Sequence, residues 1–210
     1  SKLRRVLVNV MFEEFNNDLS RIKESYRQLG DKLLLIPGND DLIDFVNSIK
    51  GISDENVIYF DEKTIELNNI NFLGFGYSNP TPWHTERELN EDEIKARLFS
   101  IMGKLSRSEL DKTIAVIHAP PYGTTIDQAP KLTQDLKPVV EGGITVMEHV
   151  GSKAVKEALE YFGPAISLHG HVHESPGIDY LNASCCKRKI PIINAGSEYQ
   201  NGVLRFAYLI

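Results

Sequence analysis

Three histidines occupy alternate positions in His169-Gly170-His171-Val172-His173, and a fourth, His118, directly follows the apolar run Thr113-Ile114-Ala115-Val116-Ile117. Neutral imidazole is the commonest side-chain metal ligand, coordinating through one ring nitrogen while the other is oriented by a hydrogen bond. In an extended run the three alternate histidines share one face; a turn at Gly170 lets only some of them converge. Such a run is also compatible with a solvated loop or with capping residues. In Pro37-Gly38-Asn39-Asp40, Asn39 offers an amide oxygen that can ligate a divalent cation, although Gly-Asn-Asp is equally ordinary turn chemistry. Asp40 has two readings, a helix cap or a carboxylic acid that donates a proton if burial raises its pKa.

These residues need strand ends to bring them together. Leu33 to Ile36, Thr113 to His118 and Ala165 to Leu168 read as short strands, each followed at once by one of the polar loops. Ligands bind at the carboxyl ends of strands in open α/β sheets. Residues 3 to 10 (LRRVLVNV) read as a first strand and 17 to 29 as a helix, with Leu19, Ile22, Tyr26 and Leu29 on one face. Leu42, Phe45, Val46 and Ile49 mark a second helix. Val57 to Phe60, Thr64 to Leu67 and Ile70 to Phe75 predict an antiparallel meander turning at Asn68-Asn69. Asn90 with Glu93 predicts a capped helix start ahead of the stripe Ile94, Leu98, Ile101 and Leu105. Val155, Leu159 and Phe162 mark a further helix, and Ile190 to Ile193 and Val203 to Leu209 two more strands.

The 210 residues suit one substantial domain. Hydrophobic residues make up 41% and charged residues 25%, and no apolar run approaches the roughly 20 residues of a membrane span. No membrane partner is therefore expected. The formal net charge is −6 with Lys and Arg scattered, so charge gives no indication of nucleic-acid binding, while a small phosphorylated substrate stays compatible. The adjacent Cys185 and Cys186 read as buried structural thiols in a reducing, cytoplasmic setting. Trp83-His84 lies in a Pro-rich loop, as loop packing or pocket lining, and Gly151-Ser152 after His149 reads as a helix start able to face an anion.

Gly38-Asn39-Asp40-Asp41, the strand-terminal His118 and Gly170-His171-Val172-His173 resemble, in order, the later motifs of the calcineurin-like metallophosphoesterases. The resemblance implies a single domain over 1–210, an α/β four-layer α/β/β/α sandwich with two mixed sheets. It also implies two divalent metal ions, Mn, Fe or Zn. Asn39, His118 and His171 would ligate one ion and His173 the other, with Asp40 as the candidate catalytic acid. Two such ions, roughly 3.5 to 4 Å apart, would activate a hydroxide to hydrolyse a phosphomonoester or phosphodiester. The family's Asp-x-His and Gly-Asp motifs, which supply the bridging aspartate, are not readable. That departure implies a segment missing near residues 9–17 or a natural degenerate site. The competing expectations are a non-catalytic binding module and an unrelated single-zinc hydrolase using His118, His171 and His173.

Overall fold

The computed structural model describes residues 2–29, 32–51 and 56–198. The chain opens with α1 (Lys2–Leu29), β1 (Leu33–Leu35), α2 (Ile43–Ile49) and β2 (Val57–Tyr59). Then come β3 (Lys63–Leu67), β4 (Ile70–Phe75), α3 (Glu91–Met102), α4 (Arg107–Leu110) and β5 (Thr113–Ile117). Two short antiparallel pairs follow, β6 (Gln128–Pro130) with β9 (Met147–His149) and β7 (Val140–Glu141) with β8 (Ile144–Thr145). The remaining elements are α5 (Lys153–Phe162), β10 (Ile166–His169), β11 (Gly177–Asn182) and β12 (Lys189–Asn194).

The large sheet has the order β11-β12-β10-β5-β4-β3. Its four central strands run parallel and its two edge strands antiparallel. On one face, Leu73, Phe75, Ala115, Ile117, Ile190 and Ile192 pack against Ile94, Leu98 and Met102 of α3 and Val155, Ala158 and Leu159 of α5. Burying each Leu or Ile there contributes about 2 kcal/mol. The opposite face meets the second sheet, a parallel pair of β1 and β2. A side chain at Gly74 would place its Cβ 2.3 Å from the Phe60 carbonyl oxygen, so the sheets approach to backbone contact there. Beyond the small sheet, Phe45, Val46 and Ile49 of α2 pack with Tyr59 and with Val8 of α1. The result is an α/β architecture of four layers, α/β/β/α.

Several expectations are corrected. Residues 3 to 10 are helix, because Val8, Met11, Phe12, Phe15 and Leu19 form one helical stripe that carries the segment into α1. The positions near 9–17 lie within that same helix. Ile22 is exposed. The meander is broken, since β2 pairs with β1 in the small sheet while β3 and β4 form the hairpin. Asn68 and Asn69 turn that hairpin with φ of 51° and 63°, as a primed turn requires. The Asn90–Glu93 capping box is present. β11 was not anticipated, and the expected strand at 203 to 209 lies outside the described residues. Among the described residues no helix is long and apolar enough to cross a membrane.

Candidate functional site

The ends of β1, β5 and β10 bring three polar loops together. His118 and His171 approach with ring centroids 5.1 Å apart. His118 Nε2–H donates to Asn39 Oδ1 at 2.9 Å, and His171 Nδ1–H donates to the same oxygen at 3.0 Å. Asn39, itself buried, completes its bonding by donating from Nδ2 to Thr85 Oγ1 at 2.9 Å. Thr85 in turn donates through both its backbone and its hydroxyl to Glu88. Burial pushes the Glu88 carboxyl up, but the hydrogen bonds from Thr81 and Thr85 outweigh it and leave the group below its usual value.

Local backbone makes this convergence possible. Gly38 lies against the His118 ring, and a Cβ there would sit 2.8 Å from Cε1. His171 adopts a left-handed φ of 62°, closed by a 2.7 Å bond from Val172 N–H to the Gly170 carbonyl. The run therefore turns at Gly170 and His171. His169 is buried under the sheet end, sharing Nδ1–H between the Ile117 and Ala119 carbonyls at 2.9 and 3.0 Å, and its Nε2 has no hydrogen-bond partner. His173 is exposed. Asn194, at the end of β12, clamps the same loop by donating from Nδ2 to the Val172 carbonyl at 2.7 Å and the Ser175 carbonyl at 3.1 Å.

His118, His169 and His171 are held neutral. Burial lowers His118 to about 3, helped by the neighbouring His171 and His173. Burial likewise lowers His169 and His171 to about 4, with His173 adding to the effect on His171.

Behind Asn39 lies an ion pair that sequence reasoning missed. Arg87, 2% exposed, donates from Nε to the Gly38 carbonyl at 3.0 Å and from Nη2 to Asp61 Oδ2 at 2.8 Å, and it stacks on the Tyr77 ring. Asp61 also accepts from Gly76 N–H and from the Tyr59 hydroxyl, whose own proton is held more tightly because of burial and the nearby carboxylate. No local motif announces this pair, because its partners are far apart in sequence.

Asp127 is a second missed residue. Fully buried, it accepts from Gly123 N–H and Thr124 N–H at 2.9 Å each, from Gly151 N–H at 3.1 Å and from His149 Nδ1 at 2.7 Å. The helix start after Gly151 is already filled by the protein's own carboxylate. Glu91 accepts from Ser152 Oγ at 2.7 Å, Lys153 N–H at 3.0 Å and Ala154 N–H at 2.8 Å.

The structure brings Asn39, His118 and His171 together but leaves His173 and Asp40 exposed. Asp40 does not cap α2, whose N-cap is Leu42, and Ile43 N–H is taken instead by Glu86 at 3.0 Å. Asp41 accepts from Gly38 N–H at 2.7 Å, and burial raises its pKa. Trp83 is exposed and does not fill its loop, and both cysteines are exposed, contrary to their reading as buried thiols.

The two-metal expectation is corrected by the donor set. Among the described residues no group of three or more His, Cys, Asp or Glu is arranged to hold a metal ion. Asn39 Oδ1, His118 Nε2 and His171 Nδ1 are engaged with one another. The described residues therefore do not support the metallophosphoesterase expectation with its manganese, iron or zinc pair.

No family model matches the sequence. Over 165 residues it is 36% identical to the uncharacterized protein MJ1162 of Methanocaldococcus jannaschii, covering 75% of this chain and 64% of that protein. The chain thus spans a little under two thirds of this relative's length. One solved crystal structure aligns with a TM-score of 0.56 at 18% identity, over 94% of this chain and 70% of the other, which shows the fold alone. Another, TT1561 of Thermus thermophilus, has a TM-score of 0.44 at 14% identity, over 78% of this chain and 62% of its own.

Proposed function

We propose that this chain is a non-catalytic binding module whose strand-end histidines form a structural knot, with ligand recognition falling to the cleft beside it. The observation that carries this reading is the Asn39 side chain, whose oxygen takes both imidazole N–H groups while its nitrogen is bound to Thr85. A catalytic polar cluster keeps donors or acceptors aimed at a substrate; here the Asn39 amide and one nitrogen of each imidazole are turned on one another.

The cleft, about 360 Å³, has the Leu35-Ile36-Pro37 strand end as one wall and Met11, Phe15 and Phe45 as apolar lining. That volume is at the small end of ligand-sized pockets. Glu14, Asp18 and Asp41 give it a negative wall, and burial already holds Asp41 above the ordinary carboxylate pKa. A small ligand with an apolar body and one cationic group fits this chemistry, since its charge would offset the desolvation that raises the Asp41 pKa. A cytoplasmic setting is part of the same reading, since the two cysteines of the sequence are adjacent and close no loop by a disulfide.

The test pairs two measurements on the intact protein. An arylalkylamine should raise the melting temperature and shift Phe15 and Phe45 resonances, and Asp18→Asn should weaken both effects; an equal response to the matching arylalkyl carboxylate would refute the ligand class. Chromogenic phosphomonoester and phosphodiester should not turn over with or without Mn²⁺. Metal-dependent turnover that disappears in His171→Ala would overturn the non-catalytic reading itself.

A further inference from the structure

Cys185 and Cys186 lie in the turn joining β11 to β12, closed by Ala183 N–H donating to the Arg188 carbonyl at 2.9 Å. Both thiols are exposed, and their sulfurs are 3.1 Å apart. Two guanidinium groups flank them. Arg107 Nη1 donates to Cys185 Sγ at 2.9 Å and to the Phe162 carbonyl at 2.6 Å, while Nη2 reaches Asp111 at 2.9 Å and the Gly163 carbonyl at 2.6 Å. Arg188 binds Asp111 at 2.8 Å and also reaches the Gly163 carbonyl. The pair therefore sits against the C-terminal end of α5, where Gly163 is left-handed and a Cβ would lie 2.7 Å from Cys185 Sγ.

We propose that Cys185–Cys186 is a vicinal dithiol modification site that closes reversibly to a cyclic disulfide by exchange with a small-molecule disulfide. The two thiols differ in surroundings. Cys185 is tied to Arg107, Phe162 and Cys186, and partial desolvation with the Cys186 hydrogen bond pushes its pKa up. Cys186 is the first nucleophile: its thiolate attacks R–S–S–R, forming a mixed disulfide and expelling RS⁻. Cys185 then loses its proton to solvent, its developing thiolate facing the Arg107 cation, and attacks the Cys186 sulfur. The second RS⁻ leaves. Two protein thiols are oxidised to one disulfide, and R–S–S–R is reduced to two thiols.

Reversibility follows from geometry. Neighbouring Cα atoms across a trans peptide are about 3.8 Å apart, closer than the roughly 4.4 to 6.8 Å usual for disulfides. A ring formed there is strained, and strained disulfides have more oxidising potentials and reduce readily. The site would accordingly stay a dithiol in a reducing compartment and close when disulfide stress rises.

The experiment treats the full chain with oxidised glutathione and follows it by intact mass and peptide mapping. The expected product is the peptide bearing both cysteines lighter by two hydrogens, monomeric on a non-reducing gel, with thiol titration falling to zero and returning after dithiothreitol. Cys185→Ser should stop at a persistent glutathione adduct on Cys186, and Arg107→Gln should accumulate that adduct before closing. Stable adducts on both cysteines of the wild-type chain, cross-linked dimers, or two unreacted thiols would each overturn the proposal.

Discussion

Asn39 gathers two histidines and Asp127 one, each tying several loops into a knot, yet they do it with opposite electrostatics. Asp127 brings a carboxylate to backbone N–H groups of Gly123, Thr124 and Gly151, with the half-exposed His149 as its side-chain partner. Asn39 is neutral and binds two imidazoles that burial holds neutral as well. The first knot needs its charge, because charge-assisted hydrogen bonds are roughly twice as strong as neutral ones. The second needs the absence of charge. Polar residues at strand ends can thus be structural cement with or without a charge, and histidines there do not by themselves mark chemistry.

The largest test of this contrast is acid. His118, His169 and His171 titrate near 3, 4 and 4 in the folded chain against an ordinary 6.5, so the unfolded chain binds more protons between those values. Their stabilising contribution is complete above pH 6.5 and is lost as pH falls through the window, by about 1.4 kcal/mol per pH unit for each group. Denaturant midpoints measured from pH 7 to 4 should fall steeply, and Asn39→Leu/His118→Phe/His171→Leu should flatten the slope. Next in size is Asp127→Ala, expected to cost about 3 kcal/mol because three backbone donors lose their acceptor. Urea titration measures it.

Asn39→Ala should cost about 2 kcal/mol, since both imidazole N–H groups are left without a partner in a buried site. Asn39→Asp sharpens the comparison by giving the neutral knot the charge of the other. Its carboxylate should raise the His118 and His171 pKa values by about one unit or more, read from imidazole resonances in an NMR titration. The smallest effect belongs to His149→Gln, about 1 kcal/mol by thermal unfolding, because this partner of Asp127 is partly exposed and the backbone donors remain.

What could be read from the sequence is what depends on neighbours in the chain. The Asn90–Glu93 box, the Asn68-Asn69 turn and the loops at the ends of β1, β5 and β10 are written in consecutive residues. The grouping of Asn39, His118 and His171 came instead from the resemblance of their motifs to a known family. The fate of their ligating atoms was not legible, since whether an amide oxygen meets a cation or two imidazoles depends on loops 79 and 132 residues apart. Arg87, Asp61, Asp127 and Asn194 were invisible for the same reason. LRRVLVNV misled because its β-branched residues satisfy a strand pattern as well as the helical stripe through Val8 and Phe15.

The carboxylate of Glu91 belongs to the first turn of α3 yet accepts from the first turn of α5. The two helices consequently share one boundary condition for unfolding. Fraying either amino end strands the partner's donors or acceptor, so amide exchange at Lys153 and Ala154 should rise together with exchange in α3 when Glu91→Ala is introduced. The helical layer over the large sheet then opens as a single cooperative unit rather than as two.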